Sequence, residues 1–315
     1  MLHRHGRLVL GGTEYFRGEA DWLRSLALDV LRRAVQGGGW ADLFFEHTTQ
    51  RTTTLRQRAA RGQISAPRIT AHGRVLSGLG LRRVTTSQVL YAASDHVSPS
   101  ELERLRSDLR PWEGRPSIAV RQSRGTAIAA DDTLIRLAAD AALSLSRCIQ
   151  EVRVELRHTI RRTVVFVSDG ATASEVRARR DLRVEVEANI GGGTLRAYAL
   201  GGTSGDPAHA LSLDPERIAA EAVRRALVLS EARPIPCRPM PVVIAAGWGG
   251  VWLHEAVGHL LEADLPDSIR LNIGTEAASG AVTIVDDPTL TDARGSYTDD
   301  DEATPASRTV LVEDG

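Results

Sequence analysis

A chain of 315 residues is long enough for two or three hydrophobic cores, because single cores stop growing near about 250 residues. All 39 of its basic residues are arginines, which excludes Schiff-base chemistry on a lysine amine and a Walker A loop with its phosphate-binding lysine. The net charge of −1, with both signs interspersed, argues against a dedicated nucleic-acid binder, and two cysteines are too few for a thiolate cluster or a disulfide framework.

The first helical pattern runs from Arg17 to Gln36 and stops at Gly37-Gly38-Gly39. Strand formers follow at Trp40 to Glu46, Arg51 to Arg58, Val75 to Val84 and Gln88 to Ala93, which predicts a sheet packed on that helix. Ser98-Pro99-Ser100-Glu101 opens a helix reaching about Leu109. The Pro-, Gly- and Arg-rich stretch from Arg110 to Gly125 reads as a linker, and Asp131-Asp132 caps a helix ending near Arg147. Alternating runs at Val152 to Leu156, Thr163 to Val167 and Leu182 to Val186 predict an antiparallel, half-exposed sheet, with Gly191-Gly192-Gly193 as a turn. Asp214-Pro215-Glu216 starts a helix to about Ala232, and the prolines at 234, 236, 239 and 241 form a stiff connector. The reading is an α+β protein of three parts, 1–110, 126–233 and 237–315, with the last part β-rich.

No apolar run approaches the ~20 residues that a bilayer span requires, and the first residues lack the apolar core of a signal peptide. A cytoplasmic protein with no membrane contact is expected.

Beyond the connector, Val242 to Ala246 reads as a buried strand that turns at Gly247-Trp248-Gly249-Gly250 into a segment containing His254-Glu255-Ala256-Val257-Gly258-His259. Two histidines with a glutamate beside the first suggest metal-assisted hydrolysis: imidazoles hold the ion and the glutamate moves the proton of the attacking water. Zincin helices separate their histidines by four residues, however, and here the separation is five. Five steps of about 100° leave side chains roughly 140° apart, against about 40° for four. A straight helix would not aim both rings at one ion, and Gly258 offers a π-type widening or an altered turn. Spacing alone also leaves open two core histidines bonded to carbonyls.

At these residues the chain resembles the TldD/PmbA family of metallopeptidases, also described as modulators of DNA gyrase, and specifically its TldD branch. The likeness includes Leu261-Glu262-Ala263-Asp264, Gly280 to Asp287, Arg294-Gly295-Ser296, Asp300 to Pro305 and Val310 to Gly315. It extends more loosely to Ala41 to Glu46 and Gly78 to Arg82. The resemblance implies a zinc (Zn2+) peptidase working as a heterodimer with a PmbA/TldE-like paralogue on unfolded or extended peptides. His254 and His259 are then metal ligands and Glu255 is the general base. It also implies a cysteine ligand nearer the family's C-terminus, whereas this chain has no cysteine after Cys237. The expectation is a chain lacking the family's C-terminal segment, or a third ligand of another kind. Glu262 and Asp264 are the candidates, with a supporting role beside a histidine as the plainer reading for each. The alternative function is a catalytically silent scaffold or a gyrase-modulator-type regulator. The acidic run Asp299 to Glu302 belongs to the family-like motifs but lacks the pattern of a calcium loop. Cys148, Cys237 and the isolated histidines His47, His72, His96, His158 and His209 read as structural or surface residues.

Overall fold

A computed structural model of the chain describes residues 21–60, 63–95, 99–111, 132–205, 213–262, 265–266, 270–290 and 293–315. The expected helix start at Arg17, the caps Ser98 and Asp131, most of the linker, Asp264, His96 and His209 lie outside them.

The described elements of the first compact unit are α1 (Asp21–Ala34), β1 (Trp40–Ala60), β2 (Gln63–Ile64), β3 (Arg68–Val84), β4 (Val89–Ser94), α2 (Pro99–Ser107) and β5 (Arg110–Pro111). They continue as α3 (Thr133–Leu145), β6 (Ile149–Val167), β7 (Thr172–Ile190), β8 (Gly193–Gly205) and α4 (Pro215–Ser230). Eight strands form one antiparallel sheet in the order β5-β4-β3-β1-β6-β7-β8, with β2 paired to β1. Two of the expected strand pairs, at 40–46 with 51–58 and at 152–156 with 163–167, are single long strands. The residues between them carry threonines and arginines, which suit an extended chain with one wet face as well as they suit a turn.

Residue parity explains the layering. Odd positions of β1 face the helices: Leu43 and Phe45 pack with Leu23, Val30 and Leu31 of α1 and Leu102 and Leu105 of α2. Leu55, on the same face of the same strand, packs with Ile135 of α3 and Ile218 of α4. One sheet thus supports two apolar cores side by side, each fully buried leucine contributing about 1.5–3 kcal/mol. In α4, Asp214 accepts a hydrogen bond from the Arg217 N–H at 2.9 Å and Pro215 occupies the first turn, as the sequence pattern predicts. Gly191 and Gly192 both have positive φ, 61° and 82°, and close the β7–β8 hairpin as a two-residue turn of the type that needs glycine at both positions.

The chain divides into two compact units: Met1–Ala232 with Thr291–Pro305, and Arg233–Leu290 with Ala306–Gly315. Within the first unit β1 pairs along most of its length with β6, so both apolar cores rest on one continuous sheet. The second unit contains α5 (Trp248–Ala256), a 3-10 turn (Gly258–Leu261) and a two-stranded sheet of β9 (Ile284–Asp286) and β10 (Thr309–Val312). The segment Val242 to Ala246, expected as a buried strand, forms no strand, and Val242 and Val243 are 74% and 96% exposed. A run of apolar β-formers becomes a strand only beside an edge that satisfies its backbone, and the sheet of this unit is limited, among the described residues, to β9 and β10.

The outer face of the large sheet carries the chain from Arg294 to Glu302. Arg294 donates to Asp181 at 2.9 Å, the Thr298 N–H to Glu175 at 2.9 Å, and Arg161 to both oxygens of Asp301 at 3.1 and 2.9 Å. Arg82 lies between Asp42 and Glu302, 2.6 Å from each. Asp300 folds the run on itself by accepting from the N–H groups of Glu302 and Thr304, both at 2.8 Å.

Candidate metal centre

The helix carrying His254 is preceded by Gly247, whose φ of 96° would strain any residue with a side chain. It stops at Ala256. Val257 has φ −126° and ψ −45°, although its N–H still reaches the Leu253 carbonyl at 3.0 Å. The chain then tightens: Leu260 donates to Val257 at 3.0 Å and Glu262 to His259 at 3.4 Å, the bonding of a 3-10 turn. Of the two remedies the spacing allows, the altered turn is the one present, and its pivot is Val257, one residue before Gly258. Across such a break the rotation of about 100° per residue no longer applies.

The consequence is convergence. The ring centroids of His254 and His259 lie 4.5 Å apart with planes at 66°. Glu255 Oε2 is 3.6 Å from His259 Nε2, and one ligand atom from each of His254, Glu255 and His259 falls within 4.8 Å of the others. Glu262 Oε1 is 2.8 Å from His259 Nδ1. With Nδ1 donating to that carboxylate, Nε2 presents its lone pair, the arrangement in which an outer carboxylate orients a ligating imidazole. All three side chains are exposed, so they are open to an ion and a substrate. Two imidazoles suit zinc as ligands and the carboxylate beside them suits a base for a water on it, so the residues present fit the metal. Among the described residues this is the only group of three metal-competent side chains, and it includes neither Cys148, which is partly buried, nor the exposed Cys237.

Within the first unit the acidic run Asp299 to Glu302 pairs with Arg82 and Arg161. Nothing local announces these pairs, which join residues 220 and 140 positions apart.

Residues 126–230 match the model of the PmbA/TldA metallopeptidase central domain and residues 237–315 that of the PmbA/TldA metallopeptidase C-terminal domain, and the chain belongs to the PmbA/TldD family. Its relatives include the metalloprotease TldD homolog of Haemophilus influenzae, 32% identical over 272 residues, which are 76% of this chain and 55% of that protein. The TldD homolog of Buchnera aphidicola from Acyrthosiphon pisum is 29% identical over 266 residues, again 76% and 55%. The chain therefore spans about half the length of these curated relatives. A Bacteroides thetaiotaomicron crystal structure described as a modulator of DNA gyrase shares the fold with a TM-score of 0.61 at 17% identity, covering 94% of this chain and 71% of that one. The TldE structure from Thermococcus kodakarensis gives 0.51 at 15%, covering 93% and 68%.

Proposed function

We propose that this chain is a TldD-like, zinc-dependent peptidase subunit that acts in the cytoplasm on unfolded or extended peptides, together with a PmbA/TldE-like partner. The observation that carries the reading is the convergence of His254, Glu255 and His259 around a break that brings five-residue spacing to one point. His254 and His259 hold the metal, and Glu262 fixes the tautomer and orientation of His259. Zinc, when bound, supplies Lewis-acid polarisation of the scissile carbonyl. Glu255 takes the proton of the attacking water and returns it to the leaving amine, a role that requires a carboxylate close to the metal-binding imidazoles, as its 3.6 Å approach to His259 provides. The partnership draws support from the shared fold with TldE.

The test is metal content and peptide cleavage for the chain alone and with the paralogue, in wild type and Glu255→Gln. Zinc bound by both forms, with cleavage lost only in the variant, supports the assignment. Cleavage unchanged by Glu255→Gln, or no zinc in either form, overturns it. A second reading, a catalytically silent scaffold or regulatory subunit, draws on a converging set with neither cysteine in it. It expects zinc of low affinity and no cleavage with any partner.

A further inference from the structure

The segment 294–305 is held on the outer face of the large sheet in a different way from the helices on the other face. Each of α1, α2, α3 and α4 places apolar side chains in a core, whereas no residue from Ala293 to Pro305 is buried. The side chains of Arg294, Asp301 and Glu302 are each more than half exposed. Apolar burial, the dominant attachment of one element to another, is therefore missing. The segment rests on polar contacts: Asp301 with Arg161, Glu302 with Arg82, Arg294 with Asp181, the Thr298 N–H with Glu175, and the Tyr297 ring 5.3 Å from the Arg177 guanidinium. Surface pairs of this kind contribute little each and weaken as salt screens them.

Both sides of this contact keep their own structure when separated. On the sheet, Arg82 also donates to Asp42, at 2.6 and 2.7 Å, and stacks 5.1 Å from the Trp40 ring. Arg161 also donates to Glu46 at 3.1 Å and stacks 5.6 Å from the Phe44 ring, and Arg177 pairs with Glu175. Each of these guanidiniums retains a carboxylate of the sheet after Asp301, Glu302 and Tyr297 leave, so departure strands no uncompensated arginine, the usual reason why breaking an ion pair is costly. On the segment, Asp300 accepts from the Glu302 and Thr304 N–H groups, its own N–H donates to the Thr304 carbonyl at 2.9 Å, and Asp299 bridges Pro305. Ala303 closes this turn with φ 63°, in the left-handed region. None of these bonds involves the sheet.

We propose that residues 294–305 are a reversible electrostatic clasp, which opens as ionic strength rises while the sheet beneath it stays folded. Elements with few buried apolar contacts and exposed hydrogen bonds are the ones that open locally, below the free energy of global unfolding. The acidic turn travels as a preformed unit and returns to guanidiniums that Asp42, Glu46, Trp40 and Phe44 hold in place. The chain passes from one compact unit to the other after Ala232, before Thr291 and after Pro305. An open clasp leaves the proline connector as the remaining passage into the unit that carries His254 and His259. The proposal is independent of the peptidase reading, since every contact it uses lies within the first unit.

The experiment is amide hydrogen exchange of the full chain, read by NMR in about 0.01 M and about 1 M sodium chloride, between which the Debye length falls from roughly 30 Å to 3 Å. The Thr298 N–H, which donates to Glu175, reports the closed clasp, and the amides of β6 and β7 report the sheet. Exchange at Thr298 should accelerate by about tenfold or more in high salt while β6 and β7 keep their rates. The double variant Asp301→Asn with Glu302→Gln should exchange fast at Thr298 in low salt already and lose the salt dependence. Both positions are exposed, and unchanged β6 and β7 amides verify that the variant is folded. Asp299→Asn, at a residue that bridges Pro305 through its backbone, should behave as wild type. A Thr298 rate indifferent to salt or to the double variant overturns the proposal. So does acceleration of β6 and β7 together with Thr298, or an Asp299→Asn effect equal to that of the double variant.

Discussion

His259 and Glu262 face each other across one turn of 3-10 helix, Nδ1 to Oε1 at 2.8 Å. The bond fixes which imidazole nitrogen remains for an ion. Glu262→Ala should therefore weaken zinc binding by about 10- to 100-fold, the usual cost of losing a carboxylate behind a ligating histidine. Both groups are exposed, so the melting temperature should hardly move. Competition titration against a chelating dye measures the first and a thermal melt the second. Unchanged affinity would mean that Glu262 is only a solvated partner.

The break at Val257 should depend little on the absence of a side chain at Gly258. A Cβ there would meet His254 Nδ1 at 3.7 Å and the Leu253 carbonyl at 3.8 Å, which is ordinary contact, and Gly258 has no positive φ. Gly258→Ala should thus retain zinc affinity within about threefold, a change well under 1 kcal/mol. A tenfold loss would place the pivot at Gly258 after all.

Asp42 provides the pH dependence. Burial pushes its pKa from 3.8 to about 6, against the opposing pull of Arg82. A raised folded-state value means that the folded protein favours the protonated carboxyl. Its contribution to stability is full below about pH 4 and lost as pH rises through 6. Relative to Asp42→Asn, wild type should lose on the order of 2–3 kcal/mol between those limits. Denaturation of both proteins at a series of pH values checks this, and a constant difference would contradict it.

Gly201 on β8 marks a close approach of α4. A Cβ at that position would lie 2.3 Å from Ile218 Cδ1 and 3.0 Å from its Cγ1. Gly201→Ala should destabilise the first unit by roughly 1–3 kcal/mol through overpacking. Ile218→Val, which removes Cδ1, should restore part of the loss in the double variant. Additive losses would show that the space opens elsewhere.

How much of this was readable in the sequence depends on the range of the forces involved. The caps of α4, the glycine stop after α1 and the Gly191-Gly192 turn are local, and residues close together in the chain determine them. Convergence of His254 and His259 was legible as a requirement, since spacing demanded a break, but whether the turn widened or tightened depends on bonds from Leu260 and Glu262 that no pattern encodes. Val242 to Ala246 misled because composition reports a preference for extended backbone without supplying the neighbouring edge. The row of Arg51, His158 and Arg180 was invisible for a different reason. Arg51, His158 and Arg180 are far apart in the chain, and only the register of three strands brings them into a row.

The attachment of the acidic run to the large sheet alters what counts as a separable piece of this protein. Residues 291–305 belong to the first unit although the chain on either side belongs to the second. A cut in the proline connector near residue 234 would leave Arg82 and Arg161 facing water in place of Glu302 and Asp301, and Asp181 without Arg294. Expressed as residues 1–232, the first unit would present a newly basic patch on its outer face, open to polyanions. Dissection of the two units calls for a circular permutation or a grafted 291–305 peptide rather than a single truncation.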